Sequence, residues 1–146
     1  MRTYYIIAVL FIISFSVTAQ KQFGEYSQVV VPMQFEFLKG KDPYRLSTLT
    51  RFYLKQNKIN AVYADELPKD ITRCEILYLD AVSNSSFVYT KVHLVLKDCN
   101  GFLIYKTQEG SSKEKEYRLA YQEAFKIALE SFKFLDKDTK VTAEVN

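Results

Sequence analysis

Apolar residues occupy every odd position from 29 to 37, whereas Gln34 and Glu36 between them are polar. This period of two predicts a half-buried β-strand, whose side chains alternate between the core and the solvent. Because Pro32 has no N–H group to donate to a sheet, we expect the strand to lie at an edge or to end near Pro32.

A helix is predicted to follow this strand. Asp42 is a suitable N-cap and Pro43 a suitable first helical residue, and apolar residues recur at helical spacing over 46–54. Asn57 predicts the end of the helix, because Asn tolerates the left-handed conformation. A short strand over 59–64 comes next, so that strand, helix and strand suggest a right-handed crossover.

Three further strands are predicted over 74–82, 88–99 and 102–108. Asn100 and Gly101 lie between the last two and predict a type I′ turn, because both residues accept the positive φ that this turn requires. That turn would pair Leu96 with Tyr105 and place both of them, together with Leu103, on the core face.

The two cysteines predict the register of the preceding hairpin, between the strands over 74–82 and 88–99. If Cys74 lies opposite Cys99, Leu79 lies opposite Leu94, and the apolar residues of both strands share the core face. A slip of one residue would mix the apolar and solvent faces. In an exported protein two cysteines also suggest a disulfide. We therefore predict a cross-strand disulfide between Cys74 and Cys99.

The last predicted element is a helix. Ser111 and Glu114 have the spacing of a capping box, and Ala120, Ala124 and Ala128 follow at intervals of four. Small residues on one side of a helix allow its axis to lie close to a sheet.

The resulting order, β-α-β-β-β-β-α, predicts an α+β fold. We expect a two-layer sandwich in which a mixed β-sheet carries two helices on one face. Residues 20–135 are predicted to form a single domain, because this length suits one hydrophobic core. Residues 136–146 are predicted to form a polar C-terminal tail.

The amino terminus has the three parts of an export signal. Arg2 precedes an almost unbroken apolar run over 4–17, and Ala19 is suitable for cleavage before Gln20. A membrane anchor is the alternative, but a spanning helix needs about 20 apolar residues. We predict a signal peptide that ends at Ala19, and a periplasmic or secreted protein without a membrane span after its removal.

Composition and motifs give little support for catalysis or cofactors. The 20 basic and 17 acidic residues are interspersed, so nucleic acid is not indicated as a partner. Neither a Walker loop nor a dinucleotide fingerprint is present. One His and two Cys fall short of the four ligands that zinc requires. We therefore predict no cofactor, no metal site and no enzymatic activity.

His93, the only histidine, is predicted to lie opposite Asp80 with Gln108 on its other flank. The pair could act as an acid and base, or it could be a solvated cross-strand ion pair. The ion pair is favoured, because this register places no Ser or Cys nucleophile within hydrogen-bond reach.

The face of the sheet away from the helices is predicted to be unusually apolar. It would carry Ile76, Tyr78, Val95, Phe102 and Ile104. Contiguous exposed apolar surface usually marks a binding site, although a loop or the tail could cover this face.

These observations favour a non-enzymatic envelope module that binds a protein partner through this face or an edge strand. The first alternative is a carrier of a small apolar ligand, with a pocket lined by Phe35, Phe37 and Tyr53. An uncharacterised hydrolase or thiol enzyme is the third possibility. The sequence does not indicate which partner or ligand is bound, nor the oligomeric state.

Two stretches also resemble known secreted proteins. In one, a strand ends at Gly110, a charged stretch follows, and the closing helix repeats Ala over 120–129; the other, 94–105, contains an Asp-Cys-Asn-Gly turn. The pattern resembles uncharacterised small secreted envelope proteins and is similar to periplasmic domains related to the curli-secretion lipoprotein. The resemblance implies an envelope domain but transfers no functional residues. The lipid-bearing Cys and the pore-forming segments of the curli channel are missing, so channel formation is not implied.

Overall fold

A computed structural model of the protein describes residues 21–135. The predicted signal peptide and the predicted tail over 136–146 therefore lie outside the described residues.

Residues 21–135 form six strands and two α-helices, joined by 3₁₀ turns and loops. In chain order they are β1 (Gln28–Val30), α1 (Leu46–Gln56), β2 (Ala61–Val62), β3 (Ile76–Ser83), β4 (Thr90–Lys97), β5 (Leu103–Lys106), β6 (Gly110–Ser112) and α2 (Tyr117–Leu129).

The strands form one mixed sheet in the order β2-β1-β3-β4-β5, and β6 pairs with β4 beyond the end of β5. β1 is parallel to both β2 and β3, whereas the remaining pairs are antiparallel. Apolar side chains of both helices pack with those of the sheet in one core. The predicted α+β fold with a mixed sheet is confirmed, and β6 is a strand that the sequence did not predict.

β1 is much shorter than the predicted strand. It ends at Val30, two residues before Pro32, and the chain then leaves the sheet as a loop. Phe35 is nevertheless fully buried in the core. The alternating pattern therefore marked residues that pack inward, but Pro32 cannot donate a ladder hydrogen bond and pairing stops before it.

Asp42 caps α1, but Pro43 is not the first residue of the helix as predicted. A 3₁₀ turn over Pro43–Arg45 separates Asp42 from the helix, which begins at Leu46. The Asp42 carboxylate accepts hydrogen bonds from the backbone N–H groups of Ser47 at 2.8 Å and Thr48 at 3.4 Å. These are the second and third residues of the helix, whose N–H groups lack a helical acceptor.

α1 ends at Gln56, beside Asn57 as predicted, but the residue in the left-handed conformation is Lys58 and not Asn57. Lys58 has φ 60°, whereas Asn57 has φ −88°. The backbone N–H of Ile59 donates to the carbonyl of Leu54 at 3.0 Å, and that of Lys58 to Lys55 at 3.0 Å. This is the Schellman arrangement, with Lys at the position usually held by Gly.

The β4–β5 turn has three loop residues instead of the predicted two. Asp98 and Phe102 close it through a backbone hydrogen bond of 3.0 Å, and Gly101 alone has positive φ, at 81°. Because Asn100 is not in that conformation, the type I′ prediction is wrong, and the turn is a three-residue hairpin with Gly in the left-handed position.

The longer turn changes which residues of β5 face the core. Leu96 pairs with Tyr105 as predicted, but Lys97 pairs with Leu103, so Ile104 is an extra residue in a bulge. Ile104 packs against the core. The sequence had placed Leu103 on the core face and Ile104 on the opposite face, and both assignments are wrong.

The predicted register of β3 and β4 is wrong by two residues. Leu79 lies opposite Leu96 and Ala81 opposite Leu94, whereas Leu79 had been expected opposite Leu94. Because side chains alternate with a period of two, a shift of two keeps every residue on its predicted face. The core faces of both strands are therefore as expected.

A disulfide joins Cys74 and Cys99, with their Cα atoms 4.9 Å apart. Neither cysteine lies in a strand. Cys74 belongs to a 3₁₀ turn over Arg73–Glu75, and Cys99 lies in the β4–β5 turn. The pairing of these cysteines agrees with the prediction, but the cross-strand position is wrong. The predicted register of β3 and β4 assumed that Cys74 lies directly opposite Cys99 in paired strands, and this assumption caused the error of two residues.

The small residues of α2 allow a very close helix–sheet contact. Ala120, Ala124 and Ala128 are all buried, and Gly110 of β6 lies beneath Ala124. α2 begins at Tyr117, however, and Ser111 belongs to β6. The predicted capping box is therefore wrong.

Candidate functional site

The five residues predicted to form a partner face do not make one exposed patch. Ile76 is 1% exposed and Val95 is 5% exposed, whereas Phe102 is 69% exposed. Tyr78 is half-buried, and Ile104 packs against the core. A charged substitution at Val95 or Ile104 would therefore disrupt packing in the folded protein and would not test a free surface.

The connection over 63–75 offers a physical reason for the burial of Ile76. It runs from the end of β2 back to the start of β3, and β1 lies between these two strands. Crossovers between parallel strands are right-handed. Glu66, near the start of this crossover, contacts Arg51 of α1 at 2.8 Å. Since the crossover returns across the sheet in the direction opposite to that of α1, the rule predicts that its later part passes over the face away from α1. Ile76 begins β3 on that face.

His93 and Asp80 do not form the predicted cross-strand pair. His93 lies opposite Val82, and Asp80 lies opposite Val95. The Asp80 carboxylate accepts a hydrogen bond from the backbone N–H of Ala81 and lies 3.8 Å from the ammonium of Lys97. The prediction that His93 lies opposite Asp80 followed from the predicted register of β3 and β4, which is wrong by two residues.

Burial lowers the pKa of His93, and Lys106 lowers it further, whereas Glu109 acts in the opposite direction. The side chain of Gln108 extends to the helix layer, where its amide donates to the carbonyl of Ile127 in α2 at 3.0 Å. Within residues 21–135, no group of three His, Cys, Asp or Glu side chains is arranged to hold a metal ion.

The predicted carrier pocket is filled by its own side chains. The Phe35 ring lies 6.1 Å from that of Phe37 and 5.1 Å from that of Phe125, and Phe37 stacks on Tyr121 at 5.6 Å. These aromatic rings form part of the core, together with half-buried Tyr53. The space between the sheet and α1 at these residues is therefore packed.

A cleft of about 400 Å³ lies elsewhere, where β1 begins and α1 ends. It is lined by Phe23, Gly24, Tyr26, Ser27, Gln28, Val29, Asn57, Lys58, Ile59, Asn60 and Leu135. Phe23, Val29 and Ile59 are buried and give the cleft an apolar floor. Segments far apart in the chain meet here, so no local sequence pattern indicated the cleft.

Carboxylates lie near the part of the cleft formed by Tyr26. Burial raises the pKa of the Tyr26 phenol, and the negative charges of Asp98 and Glu25 raise it further. Lys21 is also close, with its ammonium 5.4 Å from the centre of the Tyr26 ring.

The turn between β3 and β4, residues 84–89, carries two neighbouring exposed apolar side chains. We call it the hairpin tip. Phe87 is fully exposed and Val88 is 61% exposed. The backbone of the tip is held by hydrogen bonds from Asn84 N–H to Lys91 at 2.9 Å and from Ser86 N–H to Tyr89 at 2.7 Å. An ordered turn therefore presents two apolar side chains to solvent.

Positive charge lies at the base of the hairpin tip. The ammonium groups of Lys91 and Lys113 lie 5.8 Å and 5.1 Å from the centre of the Tyr89 ring. Lys91 also contacts the Glu109 carboxylate at 3.3 Å. The chain has no acidic residue from 81 to 97.

Comparison with known proteins identifies a fold but no family. No family model and no curated protein matches the chain. The structure is similar to that of a dodecameric PelC variant from Paraburkholderia phytofirmans, with a TM-score of 0.51 and 14% identity. The match covers 81% of this chain and 94% of the PelC chain. This likeness supports the α+β fold; the resemblance to curli-related domains stays a prediction.

No helix within residues 21–135 is both long and apolar enough to cross a membrane.

Proposed function

We propose that this chain is an exported, non-enzymatic module that binds a protein partner. The observation that carries the proposal is the hairpin tip, where Phe87 and Val88 project into solvent from a hydrogen-bonded turn. Large apolar side chains grouped at one exposed point are typical of contact sites. Phe residues are also frequent where protein partners meet.

Two features support export to the periplasm or beyond the cell. The sequence begins with a basic residue, an apolar run and a small-residue cleavage site. The disulfide between Cys74 and Cys99 is of the kind that persists in oxidising compartments.

Other copies of the chain belong among the proposed partners. The similar PelC variant is a dodecamer. This sheet also has two edges at which chains could meet: β2 at one side, and β5 with β6 at the other. Of the five residues predicted for a partner face, Phe102 remains in the proposal because it is exposed.

Affinity capture with matched variants tests the proposal. The mature protein, immobilised, should retain a partner from an extract of its own envelope or a second copy of itself, and Phe87→Asp should lose that partner. Phe52→Asp is the control, because Phe52 is 56% exposed on α1. Equal retention by the wild type and Phe87→Asp would refute a contact through the hairpin tip.

A small-ligand carrier is the second candidate function, and the cleft favours it. Its volume of about 400 Å³ falls in the range of small-molecule sites, about 300–1,000 Å³. Purified protein would then contain a small molecule at a fixed ratio, detectable by mass spectrometry of a solvent extract. An extract without such a molecule would count against a carrier.

A further inference from the structure

We infer that the hairpin tip of one copy inserts into the cleft of a second copy, so that Phe87 lies against the apolar floor formed by Phe23, Val29 and Ile59. This inference rests on the proposed function, since it names the partner as another copy of the chain. Each copy would then insert its hairpin tip into one neighbour and receive the tip of the same or another neighbour in its cleft.

The tip and the cleft lie at opposite ends of the sheet. Gln28, which lines the cleft, pairs with Ile76 at the start of β3, and β3 ends at Ser83, next to the tip. A strand of eight residues spans about 23 Å at 3.3 Å per residue. One copy therefore cannot fill its own cleft with its own tip.

The cleft is large enough for an aromatic side chain, and its lining includes apolar residues beside polar ones. Its floor is apolar, and its volume of about 400 Å³ exceeds what one Phe side chain occupies, leaving space for the neighbouring Val88. A buried Phe removes roughly 150–250 Å² from solvent, so the insertion would cover the largest exposed apolar group of the tip.

Charge also favours this pairing. The end that projects carries Lys113 beside Tyr89 and has no acidic residue from 81 to 97. The cleft has Glu25 and Asp98 near its Tyr26 wall, where both act on the Tyr26 phenol. Lys21 also lies over the Tyr26 ring, so two carboxylates and one ammonium meet at this wall. Approach of the tip on the Tyr26 side therefore brings Lys113 toward an excess of negative charge.

The contact would be weak for a single pair of copies. Two inserted side chains and the turn around them bury less accessible surface than a standard protein–protein interface, which buries about 1,600 Å² in total. Association should therefore depend strongly on concentration. Because the two contacting parts differ, copies would close into a ring, of which a reciprocal pair is the smallest, or continue head-to-tail as a filament.

Two variants, each of which disables one of the two contacting parts, distinguish this arrangement from others. Phe87→Asp replaces the apolar side chain of the tip by a charge. Asn60→Trp fills the cleft from an exposed position, and the backbone carbonyl of residue 60 can still accept its hydrogen bond from Val29 in β1. Val88→Asp and Ser27→Trp are the second variants if either fails to fold, as judged by circular dichroism. Phe52→Asp is the matched surface control.

Analytical ultracentrifugation of the mature protein is the measurement. The wild type and Phe52→Asp should associate as concentration rises, and each single variant should weaken association about tenfold or more, as expected at a central contact residue. An equimolar mixture of the two variants should form dimers and stop there, because only one intact tip–cleft pair remains.

Association of either variant at wild-type strength, or failure of the mixture to form dimers, would overturn the inference. A wild type that stays monomeric at every concentration would also overturn it. The proposed function would survive that last result if affinity capture still found a different protein partner, so the two failures are distinguishable.

Discussion

Gly110 in β6 lies directly against the backbone of Ala124 in α2. A Cβ atom at position 110 would be 1.8 Å from the carbonyl oxygen of Ala124 and 2.7 Å from its carbonyl carbon. The neighbouring helix residues Ala120 and Ala128 are also small and buried. The helix therefore rests on the strand without any side chain between their backbones at this point.

Substitution of Gly110 by Ala should be strongly destabilising. The added methyl group would overlap a backbone atom that cannot rotate away, so the helix or the strand must move. We expect a loss of about 3 kcal/mol in the free energy of unfolding, at the upper end of ordinary overpacking. Chemical denaturation measures it. Ser111→Ala is the neighbouring control and should change stability by less than about 1 kcal/mol.

Removal of the disulfide should lower the melting temperature. Cys74 and Cys99 are separated by 25 residues, for which the loop-entropy relation gives about 3–4 kcal/mol. This corresponds to a decrease of roughly ten degrees for a domain of this size. The double variant Cys74→Ser, Cys99→Ser should melt at the lower temperature with or without reductant. Two reactive thiols in air-exposed wild-type protein would contradict the bridge.

The sequence predicted which side chains of β3 and β4 face the core, but it did not predict which residues of the two strands lie opposite each other. Apolar alternation placed Leu79 and Leu94 toward the core, and a shift of two residues left those faces unchanged. The register itself depended on turn geometry that the residue types did not specify. β6 was missed because Gly110–Ser112 has no apolar pattern. This segment is a strand because β4 has an open edge beside it and because Gly permits close contact with α2.

The two candidate contact regions were less accessible to sequence reasoning. Phe87 and Val88 sit in a segment whose pattern does not distinguish an inward from an outward side chain. The cleft is formed by Phe23, Ile59, Leu135 and their neighbours, and only the tertiary fold brings these distant positions together.

Lys58→Gly should stabilise the protein. Lys58 holds a left-handed backbone conformation at the end of α1, which costs a residue with a side chain roughly 1–2 kcal/mol. Gly avoids that cost but loses about 0.4–1 kcal/mol through the greater freedom of the unfolded chain. We expect a net gain of about 0.5–1 kcal/mol by chemical denaturation. Lys55→Gly, inside the same helix, should instead lose about 1 kcal/mol.

Stability should fall as the pH drops below about 6.5, the ordinary pKa of His. Burial and Lys106 lower the pKa of His93 in the folded protein. Below the unfolded pKa, the unfolded chain therefore takes up a proton more readily than the folded chain, and the free energy of unfolding decreases. Above that pH both states are neutral at His93 and the contribution is constant.

The pH effect can be assigned to His93 by substitution. Denaturation of the wild type and of His93→Gln between pH 7.5 and pH 5 should show a shallower decrease for the variant. The same slope in both proteins would show that other groups cause the decrease.

Processing is a prediction from the sequence alone. The exported protein should begin at Gln20, because Ala19 provides the small residue that signal peptidases require. Intact mass and N-terminal sequencing of protein recovered from the envelope fraction measure this directly. A mass that includes Met1 would contradict cleavage.

The disulfide also determines what happens when the hairpin tip is cut. Cys74 lies just before β3 and Cys99 just after β4, so the two strands and the tip form a closed covalent ring. An extracellular protease that cleaves at exposed Phe87 would open the ring but release no fragment. The nicked protein would run as one band until it is reduced and as two bands afterwards. Its β3–β4 pairing would be held by the same bridge, so we expect the fold to survive a cut in the hairpin tip.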